Sequence, residues 1–188
     1  QFDTFFSKEE CPDLFSWIVP ETTTTARAGL ATLKNSKYYF DKFIKKNNFK
    51  IIKMQSGVIP LYNPKQQLKK DNCYLVGDAS SYVKATTLGG LVPALKQVEI
   101  LVDCIKNNKD YEQEIKQVKR KMWLHLQVQK VFSKFNDNDW DKLLSYVKKP
   151  KIQKVFEKHT RDNPIPLVAK SLIKEPRFFS FVIKMLLK

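Results

Sequence analysis

Two glycine-containing steps, Gly77-Asp78 and Gly89-Gly90, form the pattern in this chain that is best suited to holding a ligand. The first follows a short apolar run at 73–76 that is typical of a strand, and the second precedes apolar residues at helical spacing. A carboxylate at the end of a strand can accept hydrogen bonds from sugar-like hydroxyl groups. Glycines at a helix start let backbone N–H groups approach a planar or anionic ligand. The pattern by itself leaves a ligand site and a structural turn as alternatives.

The segment 72–91 resembles the second FAD-contacting segment of the flavin-dependent geranylgeranyl reductases, which belong to the hydroxylase-like flavoproteins. It reads NCYLVGDASSYVKATTLGGL here and close to LLVGDAAGxVxPxTGGGI in that family. The resemblance implies FAD as the cofactor and a contact between Asp78 and the ribityl chain. The other cofactor-contacting residues that it implies are Gly77, Ala79, Leu88, Gly89, Gly90 and Leu91. A helix dipole at this point would favour a negatively charged reduced flavin.

A second match to the same family lies upstream. The family has a substrate-side signature close to YxWxFP, then about eight residues, then GxG. This chain has FSWIVP at 15–20, then eight residues, then GLA at 29–31. The substrate-contacting residues that this match implies are Phe15, Trp17, Val19, Pro20 and Gly29. The intervening GVIP at 57–60 resembles a G-x-x-P of the family.

The chain departs from the family pattern at several positions. Ser80 and Ser81 replace the usual Ala-Gly, Ala85 replaces a proline, and Leu88 occupies the first position of the glycine triplet. A leucine side chain at this point would crowd the flavin or would have to turn away from it. Phe15 also lacks the hydroxyl group of the family's tyrosine. These departures raise the alternative of a degenerate, non-catalytic remnant that is used in assembly.

The chain contains only part of such a site. A flavoprotein of this class holds the FAD pyrophosphate on an N-terminal βαβ unit with GxGxxG, and no GxGxxG occurs among the 188 residues. We therefore expect the chain to be the C-terminal half of the enzyme, with a separate N-terminal flavoprotein half as its heterodimer partner. Without that partner, the chain should expose unpaired sheet edges and a large apolar face.

The elements that position these residues are mixed at first and then helical. Strands are predicted at 14–19, closed by Pro20, at 26–33 and at 49–61, and Ser36 is the predicted N-cap of a helix at 36–47. The helix after Gly90 carries an apolar face that is predicted to be buried, made of Leu91, Ala94, Leu95, Val98, Leu101, Val102 and Ile105. Further helices are predicted at 109–135, 138–147, 151–159, 166–174 and 176–187, the last ones with prolines at their starts.

These elements indicate an α/β (α+β) fold. The resemblance implies that residues 1–107 are the C-terminal portion of a hydroxylase-like FAD-binding fold with a substrate-side sheet. An all-helical basic region follows at 108–188. Residues 109–188 carry 19 Lys/Arg against 9 Asp/Glu, and the net charge of the whole chain is +15.

The basic surplus leaves several partners open. It is typical of proteins that bind nucleic acid, anionic membranes or acidic partners, and also of ordinary solvated helices. Because no recognised DNA-binding motif accompanies the charge, we expect no specific nucleic acid, and a basic nucleic-acid-binding helical protein is kept as an alternative function. Three widely spaced cysteines disfavour a disulfide framework or a zinc site and suit a reducing cytosol.

The remaining distinctive residues are interpreted as structural. His125 and His159 have no Cys or acidic partner at ligand spacing, so no metal site is expected and both are interpreted as surface or packing residues. Trp123 and Trp140 are interpreted as core residues. The segment 177–188 is apolar with basic residues interspersed, so it could lie at a membrane surface or pack against the preceding helices.

The resemblance as a whole implies an FAD-dependent oxidoreductase that reduces isolated double bonds of geranylgeranyl chains in an isoprenoid lipid. Such an enzyme would be active as part of a complex and inactive alone. No catalytic proton donor can be identified from the sequence. No apolar run reaches the ~18 residues that a transmembrane helix needs, so we expect a cytoplasmic protein. Peripheral contact at the inner membrane surface is a further expectation.

Overall fold

The computed structural model describes residues 2–186, and side chains as far as residue 184. About half of the chain is helical, and the strands form two small sheets. The strands are β1 (Asp3–Ser7), β2 (Cys11–Pro20), β3 (Ala26–Ala31), β4 (Lys69–Lys70) and β5 (Cys73–Tyr74). The helices are α1 (Ser36–Lys46), α2 (Leu91–Lys106), α3 (Tyr111–Glu114), α4 (Lys116–Phe132), α5 (Asp137–Val147), α6 (Pro150–Lys158), α7 (Pro164–Lys174) and α8 (Phe179–Leu186). The predicted mixed α/β class and the helical C-terminal region are confirmed, while the hydroxylase-like topology stays a prediction.

The larger sheet is an antiparallel meander in the order β1-β2-β3. The strands predicted at 14–19 and 26–33 are confirmed as β2 and β3. The turn between them is held by its threonines, since the Thr22 N–H donates to the carbonyl oxygen of Thr25 at 3.1 Å and the two hydroxyl oxygens lie 2.7 Å apart. The register places Trp17 directly opposite Gly29.

The helix predicted at 36–47 is confirmed as α1, but its predicted N-cap is wrong. The N-cap is Asn35, and Ser36 is the first helical residue. Asn35 has a left-handed backbone with φ 53°, which asparagine tolerates better than most residues. Its side chain makes no capping hydrogen bond.

The strand predicted at 49–61 is absent from the part of the chain that the structure describes. The stretch has no regular secondary structure, and Val58 is 97% exposed. A strand needs a neighbour that pairs with its backbone N–H and C=O groups, and no described strand lies beside this stretch. The apolar sequence has strand propensity, but propensity does not supply the pairing partner.

The helix after Gly90 is confirmed as α2, but the predicted burial of its apolar residues is wrong for most of them. One face of α2 is buried and carries Pro93, Gln97 and Cys104. Ile100 and Leu101 pack against a buried cluster on the same side. A second apolar face is 43–73% exposed and consists of Leu91, Leu95, Val98, Val102 and Ile105. The helix therefore has two faces with apolar residues, one of them buried and the other largely exposed.

The helix predicted at 109–135 is divided into α3 and α4 at Ile115. The Ile115 N–H still donates to the carbonyl oxygen of Tyr111 at 3.1 Å, so the division is a local one. α6 begins at Pro150 and α7 at Pro164, one and two residues before the starts predicted at 151 and 166. Proline is accepted there because the first turn of a helix needs no N–H donor at that position.

One of the two tryptophan predictions is confirmed. Trp140 is buried, whereas Trp123 is 52% exposed and the core prediction for it is wrong. The buried face of α4 carries Val118, Met122, His125 and Gln129, at spacings of three or four residues. Trp123 follows Met122 directly and therefore points away from that face.

The chain divides into two compact units, each made of separate stretches of sequence. Unit 1 consists of residues up to 56, residues 131–148 and residues from 180 onward, and in it Phe135 contacts Trp140 and Phe181. Unit 2 consists of residues 57–130 and 149–179. Its core cluster is formed by Tyr62, Leu68, Tyr82, Cys104, Tyr111, Ile115, Val118 and Met122. Both units contain residues from each side of position 107. The division at 107 into a cofactor-binding portion and a basic helical region therefore stays a prediction.

The C-terminal helix packs in unit 1 through one face. Phe181 is buried against Phe135, and the Lys184 ammonium donates to the Asp139 carboxylate, whereas Ile183 is 54% exposed. Residues 187 and 188, which belong to the predicted C-terminal segment, lie outside the described residues. None of the described helices is long and apolar enough to cross a bilayer.

Candidate functional site

The Gly-Asp turn connects β5 to the segment that leads into α2. β4 and β5 form a short antiparallel hairpin, Val76 is extended, and Gly77–Ser80 form a 3₁₀ turn. Gly77 has φ +61°, which glycine adopts without steric cost. Asp78 and Ala79 are both exposed at the tip of the turn. The Asp78 carboxylate is thus available to accept hydrogen bonds from a ligand.

Gln97 fixes the Gly-Asp turn against the buried face of α2. Its side-chain oxygen accepts from the Gly77 N–H at 2.8 Å and lies 2.9 Å from the Ser80 hydroxyl, which is also 2.7 Å from the Gly77 carbonyl oxygen. The side-chain nitrogen of Gln97 donates to the Tyr111 hydroxyl at 3.4 Å. Gln97 is fully buried, so these hydrogen bonds offset the cost of removing its amide from water.

The start of α2 closes directly onto Asp78. A Cβ atom added at Gly90 would lie 2.8 Å from Oδ1 of Asp78 and 3.3 Å from Cγ2 of Val83. No side chain fits at this position without displacing the carboxylate or the valine. The structure thereby brings the predicted residues Asp78, Gly89 and Gly90 together, next to the N–H groups of the first turn of α2 that have no partner within the helix.

Two residues that stand where the family pattern has glycine have a left-handed backbone. Ser81 has φ 59° and Leu88 has φ 56°, both in the left-handed region that favours glycine. Hydrogen bonds hold both residues there: the Ser81 N–H donates to the Asp78 carbonyl oxygen at 2.9 Å, and the Leu88 N–H donates to the Lys84 carbonyl oxygen at 2.8 Å. At these two positions the segment therefore has a backbone conformation that favours glycine, although neither residue is glycine.

An ion pair between a buried lysine and a half-buried aspartate lies beneath Gly89. The Lys84 ammonium donates to the Asp162 carboxylate, and Lys84 is 4% exposed. A Cβ atom at Gly89 would lie 3.1 Å from Cε of Lys84. The hydrogen bond with Lys84 holds the pKa of Asp162 below its usual range. Because Asp162 lies between α6 and α7, the pair connects the candidate site to the C-terminal helices of unit 2.

His125 is hydrogen bonded at both ring nitrogens beside this pair. Nε2 lies 3.1 Å from the Arg161 carbonyl oxygen, which can only accept, so Nε2 carries the proton of the neutral ring. Nδ1 then accepts from the Thr86 hydroxyl at 2.7 Å. Burial, together with the charge of Lys84, lowers the pKa of His125 to about 4. His125 is a packing residue, as predicted, and its role is to join α4 to the turn that precedes Gly89.

The predicted substrate-side residues come together on the β2–β3 pair in unit 1. Phe15 and Trp17 lie on one face of the sheet with ring centroids 5.9 Å apart, and both are half-buried. A Cβ atom at Gly29 would lie 2.6 Å from the Trp17 ring, so the indole covers this glycine. An aromatic ring over a cross-strand glycine also stabilises strand pairs, so this contact has a structural purpose of its own.

Val19 and Pro20 complete the predicted substrate-side set at the end of β2. Val19 is half-buried opposite Arg27, and Pro20 is exposed opposite Ala26. The predicted cofactor residues belong to unit 2 and the predicted substrate residues to unit 1. The predicted cofactor residues therefore lie together in one unit, and the predicted substrate residues lie together in the other.

Several residues of the candidate site escaped the sequence analysis. Gln97, Lys84, Asp162 and Thr86 all contact the Gly-Asp segment or the turn before Gly89. Only Gln97 left a signal in the sequence, as a polar residue on a helix face that is otherwise apolar. The Lys84–Asp162 pair joins positions 78 residues apart, which no spacing rule connects.

Comparison with known proteins gives distant relatives. No family model matches the chain, and no solved structure matches it. The chain is 27% identical over 161 residues to a protein of Methanocaldococcus jannaschii named digeranylgeranylglycerophospholipid reductase. It is 26% identical over 176 residues to digeranylgeranylglycerophospholipid reductase 3 of Methanosphaera stadtmanae, and 26% identical over 172 residues to an uncharacterised protein of M. jannaschii.

These matches cover most of this chain but less than half of the relatives. They extend over 74% of the chain and 41% of the M. jannaschii reductase, and over 82% of the chain and 44% of the M. stadtmanae protein. The uncharacterised protein gives the same shares as the latter, 82% and 44%. At this level of identity, the similarities support a relationship between the chain and geranylgeranyl reductase-like proteins.

Proposed function

We propose that the chain is the C-terminal half of an FAD-dependent oxidoreductase that reduces double bonds in geranylgeranyl lipids. The proposal takes its substrate class from the names of the distant relatives and its cofactor from the resemblance of segment 72–91. Activity is expected in a complex with a separate N-terminal half that carries GxGxxG, and the chain alone is expected to be inactive.

The observation that carries the proposal is the backbone of the Gly-Asp segment. The family pattern has glycine at the positions of Ser81 and Leu88, and both residues have positive φ here. A non-glycine residue pays about 1–2 kcal/mol for a left-handed backbone. A segment without a ligand-binding role could adopt an ordinary turn with negative φ at these positions. Here Ser81 and Leu88 both have the less favourable positive φ.

The residues of the segment fit the sugar-like and flavin-facing part of FAD. Asp78 offers an exposed carboxylate, and the absence of a Cβ atom at Gly90 lets the α2 start lie against it. The pyrophosphate part of FAD has no GxGxxG to bind in this sequence. FAD, when bound and reduced, supplies a hydride equivalent for the reduction of a double bond.

The chain's own residues would act by binding and orientation. Asp78 would accept hydrogen bonds from ribityl hydroxyl groups. The N–H groups at Gly90 and Leu91, at the positive end of the α2 dipole, would stabilise negative charge on a ligand that rests there. In unit 1, the aromatic face with Phe15 and Trp17 would contact the apolar isoprenoid chain.

Contact with a membrane surface is a further part of the proposal. An isoprenoid lipid resides in a bilayer, and α8 exposes Ile183 beside its buried Phe181. Flotation with anionic liposomes would compare the intact chain with one that ends before Pro176. Equal flotation of the two would rule out a role of the C-terminal segment in membrane contact.

Co-expression tests the proposed function. The chain produced together with a GxGxxG-bearing flavoprotein half should give a yellow complex with a flavin absorption spectrum. Asp78→Ala should remove most of the bound flavin while the two halves still co-purify, because it deletes the ribityl contact without changing the backbone. Asp141→Ala, which removes another exposed carboxylate on α5, is the matched control and should retain flavin.

Three outcomes would contradict the proposal in different ways. A colourless, stable, monomeric chain with no affinity for such a half would refute both cofactor and partner. Unchanged flavin content in Asp78→Ala would refute the assigned role of Asp78. Steep salt-dependent binding to nucleic acid without flavin would favour the alternative of a basic nucleic-acid-binding protein.

A further inference from the structure

We propose that the exposed face of α2 is the surface on which the GxGxxG-bearing flavoprotein segment docks. This inference rests on the proposed function and identifies the interface that would complete its cofactor site. The face, here called the α2 stripe, consists of Leu91, Leu95, Val98, Val102 and Ile105, which are 73%, 60%, 43%, 44% and 63% exposed.

The α2 stripe has the spacing of a helix-packing face. Its residues follow one another at intervals of four, three, four and three positions. With about 100° of rotation per residue, they fall within a narrow band along the whole helix. This is the spacing of the apolar positions at which one helix packs against a neighbouring element. On a solvated helix these positions would ordinarily be polar.

The other sides of α2 already have their roles. Pro93, Gln97 and Cys104 face the core of unit 2. A polar side carries Lys96, which pairs with Glu99 at 2.6 Å, and Asp103, which pairs with Lys109 at 2.8 Å. The stripe itself contains no charged residue, so a partner would meet an uncharged apolar surface, which Lys106 borders at the end of the helix.

The position of the stripe indicates what covers it. Leu91 is both the first residue of the stripe and the first residue of α2 after Gly89-Gly90. Whatever packs over Leu91 therefore borders the turn where Asp78 and Gly90 meet. A second copy of this chain would bring no GxGxxG to that place, whereas a GxGxxG-bearing segment would bring the missing pyrophosphate-binding unit beside it. The relatives, of which the chain spans 41–44%, are long enough to contain such a unit.

Photocrosslinking from the full chain tests the interface in the cells that produce it. A benzophenone crosslinker is placed at position 98 in the stripe, and a matched control carries it at position 96 on the polar side of the same helix. The crosslinked peptides are identified by mass spectrometry, and the flavin content of the purified material is measured in parallel. The expected result is a crosslink from position 98, and none from position 96, to a polypeptide that contains GxGxxG.

A charge substitution gives a second measurement. Val98→Lys should lower the recovered crosslink at position 95 about tenfold or more, since a lysine buried in an apolar contact costs more than 1.4 kcal/mol. Glu99→Lys, on the polar side, should change it by less than about twofold. Val98 is 43% exposed in the chain itself, so thermal unfolding of the isolated variant should match that of the unmodified chain.

The outcomes separate the interface from the function. A crosslink between two copies of this chain would overturn the inference. Flavin retention without any crosslink from position 98 would also overturn it, while the proposed function would stand. A crosslink to a GxGxxG polypeptide that carries no flavin would support the interface and contradict the function. The absence of both would overturn both.

Discussion

The aromatic strand pair of unit 1 and the Gly-Asp turn of unit 2 differ in how much of each is covered by neighbouring residues. Trp17 covers Gly29 on the neighbouring strand, and Phe6 of β1 stacks on Trp140 of α5 at 4.2 Å. The Gly-Asp turn is held on its inner side by Gln97, but Asp78 and the α2 stripe are exposed on its outer side. In the first region, aromatic side chains contact one another across strands and on α5, and Phe15 and Trp17 stay half-buried. In the second region, the inner side is held by hydrogen bonds, while the side that would face a ligand is exposed.

The largest expected effect concerns the buried scaffold of the second region. Asp162→Asn should lower the free energy of unfolding by about 3 kcal/mol, because it leaves the Lys84 ammonium buried without its carboxylate. Lys84→Met, which fills the same space with an apolar side chain, should cost much less. Chemical denaturation of both variants checks the difference. Equal losses would show that the attraction between the two charges stabilises the scaffold, and that burial of an unpaired ammonium is not the main cost of Asp162→Asn.

The next effect is a pH dependence of the same scaffold. His125 takes up a proton near its ordinary pKa of about 6.5 in the unfolded chain, but only near pH 4 in the folded one. Between these values the unfolded state binds more protons, so stability is complete above about pH 6.5 and falls as the pH approaches 4. With these two pKa values the loss is about 2–3 kcal/mol by pH 4.5.

Chemical denaturation of the whole chain at pH values between 7 and 4.5 would measure this loss. His125→Gln, which cannot titrate, should flatten the pH dependence in that range. An unchanged slope in this variant would assign the loss to other groups.

A third substitution tests how closely the strand pair of unit 1 is packed. Gly29→Ala should lower the free energy of unfolding by about 1–2 kcal/mol, since the new methyl group would lie 2.6 Å from the Trp17 ring. In the background of Trp17→Leu the same change should cost little, because the indole is gone. A double-mutant cycle measures the coupling. Additive losses would indicate that Trp17 moves aside freely, as a ligand-contacting side chain could.

The smallest expected effect is a gain of stability at the Gly-Asp turn. Leu88→Gly should raise the free energy of unfolding by up to about 1 kcal/mol, because glycine adopts φ 56° without steric cost. Thr87→Gly, at the preceding position where no positive φ occurs, should instead be destabilising. A loss of stability in Leu88→Gly would show that the leucine side chain packs well enough to outweigh its backbone strain.

Local patterns in the sequence predicted most of the elements. The apolar runs that form β2 and β3 and the apolar spacing after Gly90 act within a few residues of the backbone that they shape. The predicted members of each site also came together, because Asp78 and Gly90 flank one short segment, and Trp17 and Gly29 face each other across one hairpin. Local chemistry was sufficient for these features.

Burial and long-range pairing were decided by the tertiary structure alone. An apolar helix face reads the same in the sequence whether or not an element packs on it, so the sequence predicted burial for the α2 stripe, which is exposed. The stretch 49–61 has strand propensity but no pairing partner among the described strands. Lys84 and Asp162 meet across 78 residues. A sequence records the preference of each residue for a partner, whereas only the folded chain determines whether that partner is present.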